Sequence, residues 1–144
     1  MNLELTDEQL ALRDTVRRYL AEKASVSTHV RAMLDDPTGT TREVWAGLAA
    51  LGATGVLVPQ EYGGSGLTMV EAGVVASELG AALHPGPWLS SAVAATRAFT
   101  RSASEADAAA LLTGIADGST IATVGPLTGP RPVVENGNLC GEVD

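Results

Sequence analysis

The chain has 144 residues, 45% of them hydrophobic and 18% charged, with a mean hydropathy of +0.16 and a formal net charge of −8. That length supports one domain with a real hydrophobic core, and the composition is neither disordered nor fibrous. The nine cationic residues are scattered and the only aromatics are Tyr19, Trp45, Tyr62, Trp88 and Phe99, which excludes a nucleic-acid surface built on clustered charge or base stacking.

Cys140 stands alone, so it forms no internal disulfide, and His29 and His84 add no metal-ligand spacing. The first residues carry Glu4, Asp7 and Glu8 where a signal peptide would be basic. The longest apolar run, residues 48–58, is broken by Gly52, Thr54 and Gly55 and falls short of the roughly 20 residues that span a bilayer. A cytoplasmic protein with no membrane partner is expected.

Helix starts are signposted by Ser or Thr three residues ahead of an acid or amide, the spacing of a capping box. Thr6 with Gln9 opens the first helix, over 6–24, with Leu12, Val16, Tyr19 and Leu20 on its apolar face. Residues 25–38 hold a turn or two around Val30, Met33 and Leu34 and then the turn residues Asp35, Asp36, Pro37 and Gly39. Thr40 with Glu43 opens the second helix, over 41–51, and Gly52 ends it.

Thr68 with Glu71 opens a third helix that is apolar on most faces and so belongs at the centre of a bundle. His84, Pro85, Gly86 and Pro87 break it, and Pro87 restarts the chain into Trp88, Leu89, Val93 and Phe99. Ser104 with Asp107 opens a fifth helix closed by Gly118. Beyond it, the β-branched residues 120–124 and the Asn136-Gly137 hairpin signal predict two or three strands. Such strands need a larger sheet than this stretch supplies.

The segment 51–67 reads helix end, extended apolar run, Pro59, then Tyr62-Gly63-Gly64-Ser65-Gly66 before the next cap. It resembles the signature of the acyl-CoA dehydrogenase family, in which a Leu-Gly pair and a Pro-x-x-Tyr-Gly-Gly-x-Gly loop join two N-terminal helices. Residues 5–10 look like that family's first helix, and Ile115-Ala116-Asp117-Gly118 looks like its exit. The resemblance implies a mainly α fold: an N-terminal helical bundle over 1–118, followed by the start of an antiparallel middle β-domain over 119–144.

It further implies FAD-dependent α,β-desaturation of an acyl-CoA thioester, as in lipid or sterol side-chain β-oxidation. Electron-transfer flavoprotein would be the acceptor, and the subunits would form homo- or hetero-oligomers. In the family the catalytic Glu lies in a C-terminal helical domain and much of the flavin site in the middle β-domain, so no catalytic residue is assigned here and this chain alone is expected to be inactive. Where the family enters the β-domain with Thr-Glu-Pro and Gly-Ser-Asp patterns, residues 124–130 read Val-Gly-Pro-Leu-Thr-Gly-Pro, leaving Thr128 as the one polar residue for cofactor contact. That entry is similar to divergent actinobacterial members, some of which pair a competent subunit with a degenerate one. A non-catalytic partner subunit is therefore the second reading.

The glycines of 63–66 read as structural, because a phosphate cradle would be followed by Lys in phosphate-loop order. Glu61 reads as a turn residue and Glu78 as a hydrogen-bonding residue on an apolar helix without an evident partner. Trp45, Trp88 and Phe99 have core spacing. In the family arrangement the break at 83–88 lies near the acyl-chain pocket, which makes Leu83, His84 and Trp88 the substrate-pocket residues.

Overall fold

The computed structural model describes residues 4–102, 104–125 and 132–141. Five helices follow one another: α1 (Asp7–Lys23), α2 (Arg42–Ala50), α3 (Met69–Ala81), α4 (Thr96–Ser102) and α5 (Glu105–Asp117). A hairpin, β1 (Val133–Glu135) and β2 (Asn138–Cys140), comes last, with Val133 opposite Cys140 and Glu135 opposite Asn138. Asn136 and Gly137, both at positive φ, make its turn.

The caps fall largely where the sequence places them. Thr6 and Thr68 close reciprocal capping boxes with Gln9 and Glu71, and Ser104 caps α5. Gln9 also donates to Glu71 across the α1/α3 contact at 2.7 Å, tying the two helix starts together. Hydrogen bonds from the Thr68 hydroxyl, Gln9 and the Thr68 amide hold the Glu71 carboxyl down at about 2, so this clamp persists wherever Glu71 is ionised.

Four expectations are corrected. The cap of α2 is Thr41, whose hydroxyl accepts from the Val44 amide, while Thr40 is buried one residue earlier. The expected turns after residue 25 begin as a π-helical turn, Val26–Val30, closed by the Val30 amide reaching back to Ser25. The restart after Pro87 is π-helical over Leu89–Ala95 before it tightens into α4. Residues 121–125 are irregular instead of a strand: β-branched content alone supplies no pairing edge, and the Ala122 amide is used up by the Ser91 hydroxyl.

Segment 51–67 runs through the middle of this helical scaffold. Ala53, Thr54, Val56, Leu57 and Val58 are all buried, and they join two apolar clusters. The larger gathers Val16 and Leu20 of α1, Trp45 and Leu48 of α2, and Val75 and Leu79 of α3 around Val56; the smaller packs Leu112 and Ile115 of α5 around Val58.

Buried backbone outside a helix must find partners, and here it does. The Ser65, Gly66 and Leu67 amides donate to the carbonyls of Gly55, Val58 and Val56 at 2.8–2.9 Å, folding the glycine loop back on the run it follows. Trp88 Nε1 donates to the Ala53 carbonyl, and the Thr54 hydroxyl donates to Ala116 on α5, both at 2.9 Å.

Gly64 lies so close to Val58 that a β-carbon there would strike the Val58 carbonyl and side chain, whereas Gly63, at φ 81°, faces open space. Gly63→Ala should therefore cost only the left-handed penalty of about 1 kcal/mol, and Gly64→Ala about 2–3 kcal/mol through forced displacement of buried backbone. Denaturant unfolding of the two variants checks that ranking.

Candidate functional site

Helices α2 and α3 end in the same motif, with two amides past the helix bonding back to its last turn. In α2, Gly52 and Ala53 donate to Ala49 and Leu48; in α3, Leu83 and His84 donate to Gly80 and Leu79. The motif needs a left-handed residue, which is Gly52 (φ 76°) in the first helix and Leu83 (φ 53°) in the second. A leucine there costs roughly 1–2 kcal/mol that glycine would not. Its side chain is nevertheless 63% exposed.

Leu83, His84 and Trp88 point in three directions. Leu83 faces outward from the end of α3. The His84 ring lies against the 25–40 connector, stacked on His29 with centroids 5.6 Å apart. Trp88, 2% exposed, is inserted in the larger core cluster, its indole N–H held by Ala53. The break is thus shared between surface, connector and core, and Thr128 lies outside the described residues.

Between the C-terminal halves of α1 and α3 runs an open groove of about 480 Å³ whose walls include Leu20, Ala24, Val26 and Ala82. Its size and apolar lining suit a ligand. At one end Arg17 Nε and Nη2 donate in parallel to Glu78 Oε2 and Oε1, each at 2.8 Å. The pair is lopsided, with the Glu78 side chain 7% exposed and Arg17 59%.

Glu78 thus gains from α1 the partner that its own helix lacks, and its hydrogen bonds and charge raise the Arg17 guanidinium above its ordinary value. The signal in the sequence was the acid itself: a carboxylate on a central, apolar helix requires a cation from a neighbouring one. Glu61 is exposed on the 3₁₀ turn Gln60–Tyr62.

The glycine loop offers no free backbone amide to a flavin's phosphates. The amides of Tyr62, Gly63, Gly64, Ser65, Gly66 and Leu67 all donate to carbonyls of residues 55–60. Among the described residues no group of three or more His, Cys, Asp or Glu side chains is placed to hold a metal ion, and no helix is long and apolar enough to cross a membrane.

Residues 6–119 match the N-terminal domain of acyl-CoA dehydrogenases. The chain belongs to the acyl-CoA dehydrogenase family, a family of oxidoreductases. It is 34% identical over 134 residues to acyl-CoA dehydrogenase IpdE2 of Mycobacterium tuberculosis, an alignment covering 92% of this chain and 40% of that protein.

Among solved structures, the Tcur3481-Tcur3483 steroid ACAD G363A variant superposes with a TM-score of 0.73 at 27% identity, covering 81% of this chain and 32% of that one. The ChsE4-ChsE5 complex from Mycobacterium tuberculosis superposes with a TM-score of 0.78 at 24% identity, covering 92% and 37%, a likeness of fold. The chain thus spans between about a third and two fifths of the length of these acyl-CoA dehydrogenases.

Arg17→Ala strands the Glu78 carboxylate in the groove and should lower the melting temperature by several degrees, while Arg17→Met combined with Glu78→Met should recover most of the loss. Leu83→Gly relieves a left-handed leucine and should raise stability by about 1 kcal/mol. A decrease in thermal unfolding of Leu83→Gly would mean that the exposed side chain packs on something essential to the fold.

Proposed function

We propose that this chain is the N-terminal part of a subunit catalysing FAD-dependent α,β-desaturation of an acyl-CoA thioester in lipid or sterol side-chain β-oxidation. In this reading, residues 1–118 are the helical domain and 119–144 open the middle β-domain. The family match over residues 6–119 carries it, and the likeness to a steroid ACAD at 27% identity supports a sterol-derived acyl group. The remaining expectations belong with it: a cytoplasmic oligomer of acyl-CoA dehydrogenase subunits that passes electrons to electron-transfer flavoprotein.

The work of this chain is to shape and dry the acyl end of the site. Leu83 presents an exposed apolar side chain at the end of α3, one residue past Ala82 in the groove wall, His84 follows it in the turn, and Trp88 anchors the break to the core. Excluding water there strengthens every electrostatic interaction at the reacting carbons. Any cofactor contact from this chain falls to Thr128 and its neighbours, and the base falls to the remainder of the subunit.

A second reading is a non-catalytic partner subunit of a heteromeric acyl-CoA dehydrogenase. Two observations favour it: the altered entry at 124–130, and the likeness to the Tcur3481-Tcur3483 steroid ACAD.

Visible absorption of the purified protein, alone and after mixing with acyl-CoA dehydrogenase subunits of its own organism, separates the readings. The first predicts flavin absorbance that is lost on adding acyl-CoA once a full-length subunit carries this sequence as its N-terminal part. The second predicts that flavin and acyl-CoA-dependent bleaching appear only in a mixed assembly. Absence of flavin and of any acyl-CoA effect in every combination would contradict both.

A further inference from the structure

The two histidines of the chain, 55 positions apart in sequence, meet face to face. His29 sits in the π-helical turn Val26–Val30 and is 8% exposed; His84 follows the left-handed end of α3. Their rings lie 14° from parallel with centroids 5.6 Å apart. His29 Nε2 and both ring nitrogens of His84 are buried without a hydrogen-bond partner in the protein.

The surroundings are closely fitted. A β-carbon on Gly86 would lie 2.6 Å from His84 Nε2 and 3.2 Å from Thr40 Cβ, and one on Gly39 would strike the Pro85 carbonyl. The backbone of the connector therefore packs directly on the backbone of the break at Gly39 and Pro85, with the His84 ring beside Gly86. The Gly39 and Gly86 contacts and the imidazole stack form one joint between residues 25–40 and 84–86.

A neutral imidazole tolerates this place poorly and a charged one hardly at all. Protonation would add a second N–H donor with no acceptor and put a positive charge against the face of another imidazole. The titratable groups on the elements that meet His84 are His29, Arg31, Asp35 and Asp36 of the connector, Arg42 and Glu43 at the start of α2, and Glu71 and Glu78 of α3, with Glu71 engaged by Thr68 and Gln9. Asp36 is engaged by Thr38 and Glu78 by Arg17, and of the set His29 is the one that acts on His84. No carboxylate compensates a charge on His84.

We propose that the His29–His84 stack is an acid-sensitive latch: with the His84 ring neutral it holds the 25–40 connector on the helix break, and protonation expels His84 to water and releases the connector. Burial first, and His29 second, push the His84 imidazole from 6.5 down to about 4. The folded form therefore binds the proton less readily than the unfolded one. The contribution of the latch is complete above pH 6.5 and is lost as pH falls toward 4. The connector also carries Ser25 and Val26, which form one wall of the α1/α3 groove, so release opens that groove from one side.

With two histidines in the chain, the imidazole carbon-bound protons give two NMR signals to follow from pH 8 to 4, alongside amide exchange of residues 26–40 and of α1 and α3. The latch predicts that the His84 signal stays neutral down to about pH 5. It should then shift in step with loss of protection in 26–40, before α1 and α3 lose theirs. Ordinary titration of the His84 ring near pH 6.5 with connector exchange unchanged overturns it. His84→Phe keeps a flat ring that cannot charge, so its connector should hold to lower pH than the wild type; release at the wild-type pH also overturns the proposal. Should that variant not fold, the wild-type titration decides alone.

Discussion

The structure depends on burying a stretch of backbone that is not helical. Residues 53–58 lie at the centre of an otherwise helical scaffold, and a chain in that position carries peptide groups that cost free energy unless each is paired. The returning glycine loop supplies most partners, and side chains complete the set. Trp88 reaches in from the restart after α3 to Ala53, and Thr54 reaches out to α5. These bonds explain why an indole and a threonine hydroxyl are buried among apolar groups. They also explain why the glycines cannot be spared for a ligand.

The same spine sets the geometry of the candidate site. With Trp88 pinned to Ala53, the chain between α3 and the π-helical segment has few residues in which to turn, and Leu83 absorbs the turn in a left-handed conformation. The α1/α3 contact beside it is fixed at one end by the Gln9–Glu71 bond and farther along by the two-pronged Arg17–Glu78 pair. The groove lies where α1 and α3 continue beyond that second clamp. Two fixed helices with an open, mostly apolar groove between them are suited to holding an apolar ligand.

Much of the scaffold was legible because its signals are local. Capping at Thr6, Thr68 and Ser104, the stop at Gly52 and the Asn136-Gly137 turn depend on neighbours within a few residues, and each is found in place. The cap at Thr41 was misplaced by one residue because adjacent threonines both satisfy part of the pattern, and burial of Thr40 decided between them. The π-helical windings after Ser25 and Trp88 leave no local signature, being responses to tertiary packing.

The site was less legible for the same reason. Arg17 and Glu78 are separated by 61 positions, and nothing local in α1 marks Arg17 among its neighbours Arg13 and Arg18. The histidine stack is equally non-local. Residues 120–124 show the reverse error, since strand-forming side chains are insufficient where the backbone donor is claimed by Ser91. Family membership was readable from 51–67 because there the local pattern and the global constraint coincide.

Amide hydrogen exchange resolved at Ser65, Gly66 and Leu67 tests the central role of this spine most directly, because these three exposed-loop amides donate into buried carbonyls of 55–58. They should exchange only through global unfolding, as slowly as the buried turns of α3. Exchange at the rate of an open surface loop, with α3 still protected, would contradict the account.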